Sequence, residues 1–173
     1  WVPFFLSRNF GLEGDDAGYV STIFDFCGIF GVIFAGWLSD RFFRGRRAKV
    51  AFLLVLGMVA STAAMASVGG TSTLLFAICI GATGFTLYGP DALMTGAGAM
   101  DIGSRQGAIL AAGIINGMGS IGSVVQELVI GRMYKTGGGD LDPILFVLMG
   151  AAALAALSLS VVLVRNHRGL SDA

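Results

Sequence analysis

Long apolar runs alternate with short polar connectors along the whole chain. Measured against the roughly 20 residues needed to cross about 30 Å of hydrocarbon, five runs are complete spans: Ala17 to Leu38, Val50 to Val68, Thr73 to Ala99, Gly107 to Gly131 and Pro143 to Val164. The opening "WVPFFL" is too short to cross and reads as the aromatic interfacial end of a helix that starts before Trp1. The expectation is therefore a chain that begins within a helix. No charged segment precedes an apolar core with a small-residue cleavage site, so no signal peptide is expected. The connectors are short, as in helices that hairpin back and forth within one bundle.

Within the spans, position matters more than polarity. The first full span carries Asp25, the third Asp91 and the fourth Glu127, whereas the second and fifth carry no ionisable residue. A charge in hydrocarbon is costly and faces a bundle interior or a watery path. Gly18, Ser21, Asp25, Gly28, Val32 and Gly36 follow helical spacing and form a small, polar stripe, opposite Phe26, Phe30, Ile33 and Trp37. Gly81, Gly84, Tyr88, Asp91 and Thr95 repeat the device on the third span, and Asn116, Ser120, Ser123 and Glu127 on the fourth. Three spans are thus expected to line something polar, and the second and fifth to stand as lipid-facing staves. Each acid also has a structural alternative. Asp25 could pair with an arginine to hold the bundle, Asp91 follows Pro90 and could serve a helix break, and Glu127 lies near a span end within reach of headgroup water. Gly113 and Gly117, four apart, read as a close-packing face.

Composition moves the picture from pattern to class. With 55% hydrophobic and 13% charged residues, a mean hydropathy of +0.80 and 27 glycines, the chain has about half the charge of an ordinary globular domain. It reads as an all-α integral membrane protein. Formal net charge is zero, so the placement of charge decides. Arg41, Arg44, Arg46, Arg47, Lys49, Arg105, Arg165 and Arg168 fall on one side, against Arg8, Arg132 and Lys135 on the other. Cytoplasmic loops hold the excess of Lys and Arg, which places Ser39 to Lys49, Asp101 to Gln106 and the C-terminal tail inside. A bacterial inner or plasma membrane is the expected setting, with an organelle membrane as the alternative. The same rule accounts for the arginine run without nucleic acid. Cys27 and Cys79 lie in apolar runs and read as free, packed thiols.

Other chemistry finds little support. "GMGSIG", Gly117 to Gly122, satisfies the spacing of a dinucleotide-binding turn but lies inside one long apolar span, without the required strand before it. The single histidine, His167, is in the basic tail, and neither a metal-ligand cluster nor a nucleophile with its base can be assembled. No enzymatic activity, cofactor or metal is expected.

The basic loop has an order that topology alone does not require. "GWLSDRFFRGRR" resembles the G-x-x-x-D-[RK]…G-[RK]-[RK] loop of the major facilitator superfamily, in the longer form found in organophosphate:phosphate antiporters, with Gly36, Asp40, Arg41, Gly45, Arg46 and Arg47 at the motif positions. "WVPFFL", "GFTLYGPDAL" and "AAGIINGMGSIGS" are similar to segments of that group's seventh, tenth and eleventh helices. The resemblance covers essentially the whole chain. It implies the C-terminal six-helix half of such a transporter, residues 1–173 running from the end of helix 7 through helix 12, with an N-terminal half not in this chain and a midplane site between the halves.

The implied activity is exchange of a phosphorylated small metabolite, such as glycerol phosphate or a sugar phosphate, for inorganic phosphate by alternating access. The implied partners are an anionic small-molecule substrate, the lipid bilayer and the N-terminal half. The motif loop would act as a cytoplasmic latch, in which Gly36 permits close helix approach and Asp40 bonds a helix N-terminus or an arginine. Asp25, Tyr88, Asp91, Asn116 and Ser120 would border the substrate cavity. Two positions depart from the resemblance: Ser120 stands where the group has a tyrosine, and Asp91 where an uncharged residue is expected. Two alternatives are a proton-coupled symporter that uses Asp25 or Asp91 as proton carrier, and a sensor of the same fold that does not transport.

Overall fold

The structure is a computed structural model that describes residues 2–44, 46–68, 71–100, 105–136 and 142–167. Helices account for nearly all of them: α1 Val2–Phe10, α2 Gly14–Arg41, α3 Arg47–Val68, α4 Thr73–Ala92, α5 Arg105–Thr136 and α6 Asp142–His167. All but α1 are long and apolar enough to cross a membrane, and they coincide with the five spans read from the sequence. The opening segment forms a nine-residue helix whose Phe5 and Leu6 are buried.

Local signals set the helix ends. Gly11, with φ +64°, takes the left-handed conformation that turns α1 into α2, and Asp15 and Asp16 place negative charge on the first turn of α2, where the helix dipole favours it. Ser72 caps α4 by accepting a hydrogen bond from the Leu74 amide at 3.3 Å. Pro90 lies inside α4 and has no N–H to donate. Just beyond it the helix widens into a π-helical turn, Leu93–Gly98, and the Thr95 hydroxyl donates to the Asp91 carbonyl at 2.7 Å. Pro90 and Asp91 thus lie inside an unbroken α4, two to three residues before the widened turn.

Helix α4 is the centre of the packing. Its contact with α2 is made through backbone: a Cβ on Gly28 would strike the Tyr88 ring, one on Gly31 the Phe85 carbonyl, and one on Gly84 the Phe24 carbonyl. Glycine lets two helices come this near, and small residues are what membrane helices use to associate. On its other side α4 meets α3, where the Ser61 and Thr83 hydroxyls form a buried hydrogen bond of 3.0 Å. Helix α3 then packs on α6, whose Ile144, Ala152 and Ala156 are buried.

Two apolar clusters fill the bundle. One joins Phe5 and Leu6 of α1 to Met65, Phe76, Ile80, Ile130 and Ile144, and the other, at the basic end, joins Ala35, Val50, Leu54 and Leu93. Helix α5 stands apart. Ile130 is buried and Tyr134 meets Phe4 edge-on at 5.0 Å, but residues 116–129 are exposed without interruption.

Helix α3 packs between α4 and α6 with Val50, Ala51, Leu54, Val55, Ser61, Thr62 and Met65 buried, and turns Leu53 and Leu56 outward, so it is both a packed helix and one with an apolar outer face. Within this chain Gly36 makes no close approach: among the described residues a Cβ there would meet nothing within 4 Å. Among the described residues the same is true of Gly113 and Gly117. The packed face of α2 runs instead through Gly28, Gly31, Ala35 and Ser39.

Candidate functional site

Tyr88 and Asp25 are held together by the glycine contact. The phenol ring of Tyr88 lies on the backbone at Gly28, one turn after Asp25, and meets the Phe24 ring edge-on at 5.4 Å. Fixed on both sides, it donates its hydroxyl to Asp25 Oδ1 at 2.5 Å. The bond ties α2 to α4 and gives the carboxylate a donor within the span, which a mid-membrane acid needs. Asp25 is exposed and Tyr88 half-buried, so the pair borders an open face of this chain. Asp91, three residues after Tyr88 and therefore one turn further along α4, is also exposed.

The α5 members are not joined to this group. Asn116 and Ser120 are both exposed, and the Ser120 hydroxyl donates to the Asn116 carbonyl of its own helix at 3.0 Å. Ser123 does the same toward Gly119 at 3.2 Å. A hydroxyl bonded in this way satisfies itself in hydrocarbon and stays available as an acceptor. Glu127, near the C-terminal end of its span, is exposed.

Two features escaped the sequence reading. The first is the Ser61–Thr83 pair; hydroxyl residues in facing apolar spans were its only signal. The second is a part-open recess of about 360 Å³ among the helices, lined by Phe5, Phe24, Met58, Thr62, Thr83, Gln126 and Ile130, among others. Its hydroxyls are already engaged, Thr62 with the Met58 carbonyl at 2.9 Å and Thr83 with the Cys79 carbonyl at 2.9 Å. Apart from the Gln126 amide its wall is apolar or already satisfied, so the space suits an apolar occupant better than an anion. Asp25, Tyr88 and Asp91 do not line it.

At the basic end, Arg41 closes α2 and the Phe42 amide donates to the Leu38 carbonyl at 3.1 Å. Arg44 adopts a left-handed backbone, φ +51°, and the Arg46 amide donates to the Phe43 carbonyl at 3.0 Å to start the next helix. Asp40, Arg41 and Arg46 are exposed and Arg47 is half-buried; Gly45 lies outside the described residues. Ser39, beside Asp40, is only 1% exposed, and its hydroxyl has no hydrogen-bond partner among the described residues.

Comparison with known proteins adds what geometry cannot. Residues 1–172 match the family model described as Major Facilitator Superfamily. The chain is 36% identical over 173 residues to "Putative glycerol-3-phosphate transporter 1" of Arabidopsis thaliana, which covers 92% of this chain and 32% of that protein. It is 29% identical over 143 residues to "Glycerol-3-phosphate transporter" of Bacillus subtilis, covering 80% and 32%, and 30% identical over 175 residues to "Sugar phosphate exchanger 3" of Gallus gallus, covering 97% and 34%. The chain thus spans about a third of the length of the curated relatives it matches, and their names are those of transporters. Five membrane-length helices, a motif loop at the basic end and a family match over nearly every residue agree on one conclusion: this multi-pass membrane chain belongs to the Major Facilitator Superfamily.

Proposed function

We propose that residues 1–173 form the C-terminal six-helix half of a transporter that carries a phosphorylated small metabolite, glycerol phosphate or a sugar phosphate, in exchange for inorganic phosphate by alternating access. The observation that carries this reading is the 36% identity, over 92% of the chain, to a relative named as a glycerol-3-phosphate transporter. The open face of α2, α4 and α5 is the side offered to the other half. On it, Asp25, Tyr88, Asp91, Asn116 and Ser120 border the substrate path. The basic end faces the cytoplasm, and Gly36, Asp40, Arg41, Gly45, Arg46 and Arg47 latch one conformation there. No catalytic step and no cofactor enters the cycle.

Charge sets the division of labour. Asp25 and Asp91 would repel a phosphate, so its cationic partners come from helices outside this chain. Asp25 balances those cations when the site is empty, and its bond from Tyr88 keeps the carboxylate aimed. When the anion arrives and takes the cations, the Tyr88 hydroxyl is free to donate to a phosphate oxygen.

A mid-span acid with a single phenolic donor also suits a proton carrier, and that is the second reading. One variant separates the two. In proteoliposomes of the full-length protein, Asp25→Asn should slow phosphate/phosphate exchange if Asp25 balances a cationic site. If it carries protons, the same change should abolish accumulation driven by a pH gradient and spare pH-independent exchange. A full-length protein that binds the sugar phosphate but moves none of it is a sensor, and both readings then fall.

A further inference from the structure

A second recess lies at the other side of the bundle, at its basic end. It is a shallow groove of about 530 Å³ between the first turns of α3 and the last of α6, walled by Phe43, Leu53, Leu56, Leu163 and Val164, with Lys49 at its rim. The α3 residues that form it, Lys49, Phe52, Leu53 and Leu56, lie at helical spacing on one face, so the groove runs along the helix below the lysine. From Lys49 to Leu56 the helix rises about 10 Å. The groove is thus an apolar channel that takes the upper part of an acyl chain, about two thirds of the depth of one leaflet, with a cation at its mouth.

The charges around the mouth have one sign. Lys49 and Arg165 are exposed, Arg165 directly follows Val164 of the wall, and Arg46 is exposed one turn before Lys49. None of the wall residues is acidic. The apolar runs of α3 and α6 carry no ionisable residue, so their outer surfaces are suited to lipid. Leu53 and Val164 are each 50% exposed. Basic pockets between membrane helices on the positively charged side select anionic headgroups.

We infer that the α3–α6 groove binds one anionic glycerophospholipid, with an acyl chain along Leu53 and Leu56 and the phosphate at Lys49, Arg46 and Arg165. The site is separate from the Asp25–Tyr88 face, and its occupancy does not depend on what the protein carries.

Native mass spectrometry of the full-length protein, exchanged with equal amounts of phosphatidylglycerol and phosphatidylcholine of identical chains, tests the assignment. The expected result is one phosphatidylglycerol retained in preference to phosphatidylcholine, with the preference reduced about fivefold in Lys49→Gln and kept in Lys49→Arg. Leu56→Trp fills the groove and leaves every charge in place, and it should lose the bound lipid as well. Four results would overturn the inference: equal retention of both lipids, a preference that survives Lys49→Gln, retention that survives Leu56→Trp, or release of the lipid by millimolar inorganic phosphate. A dimer that Leu56→Trp disrupts would assign the groove to a second copy and overturn it too.

Discussion

Gly31→Ala is the substitution that tests the α2–α4 contact most directly. The new methyl would fall on the Phe85 carbonyl, which belongs to the backbone and cannot rotate away. Non-bonded atoms settle at about 3.5–4.0 Å, so the two helices must part by about 1 Å or more. That displacement acts on more than one residue. The Tyr88–Asp25 bond, 2.5 Å long, would stretch beyond the range in which hydroxyl hydrogen bonds persist, and the Gly28 and Gly84 contacts would open with it. Overpacking costs about 1–3 kcal/mol and a lost polar bond in a membrane bundle adds about 0.6, so a loss of about 2–4 kcal/mol is expected. Thermal unfolding of the full-length protein in one detergent measures it, with Gly150→Ala as the control because a Cβ there meets nothing within 4 Å. The double variant Gly31→Ala with Gly84→Ala should lose less than the sum of the singles, since helices already parted have room for the second methyl. If Gly31→Ala unfolds at the same temperature as Gly150→Ala, the backbone contact is not what holds α2 to α4.

Three further outcomes are expected. Asp40→Asn or Arg46→Ala should slow exchange while leaving equilibrium substrate affinity within a few-fold, because both residues are exposed at the bundle end; a large loss of affinity at normal turnover would remove them from a latch. Ser61→Ala and Thr83→Val should each cost about 1 kcal/mol or less, because the hydroxyl that is left can turn its proton to a carbonyl of its own helix, 3.0 Å from Ser61 and 2.9 Å from Thr83; a coupling well above about 1.7 kcal/mol in the double-mutant cycle would make the pair a structural keystone instead. Ser39→Ala should leave stability unchanged or raise it, since it removes a buried hydroxyl that has no partner among the described residues, and a drop in the unfolding temperature would point to a partner formed in another conformation.

The spans were legible because length and lack of charge are what hydrocarbon demands. Asp25 and Tyr88 were legible as members of small, polar stripes, with Tyr88 and Asp91 sharing one of them, but the bond from Tyr88 across to Asp25 was not, because the packing of α2 on α4 decides which acid a phenol meets. The packed face of α2 was not, although its residues were in plain view. In water the buried face of a helix differs from the exposed face in hydropathy, but in a bilayer both are apolar and only side-chain size distinguishes them. The polar stripe through Gly18, Asp25 and Gly36 therefore differs from the packed stripe through Gly31, Ala35 and Ser39, and Gly28 alone belongs to both. The same ambiguity hid the packed side of α3, which Gly57, Ser61 and Thr62 mark, behind the apolar outer side that carries Leu53 and Leu56.

The wide turn at Leu93–Gly98 changes the angular bookkeeping of α4. Ala99 lies eleven residues after Tyr88, which in an unbroken α-helix, at about 100° per residue, would bring it back to within about 20° of the tyrosine's azimuth. A π turn takes up about one more residue than an α turn, so everything after it is rotated by about 100° relative to what precedes it. Ala99, 1% exposed, and Met100, 67% exposed, consequently take their faces from the second phase and not from the one that aims Tyr88 and Asp91. A one-residue deletion between Leu93 and Gly98 would be rotational rather than local in its effect: it would bring the two phases into register and turn the basic end of α4 against the helices it touches there.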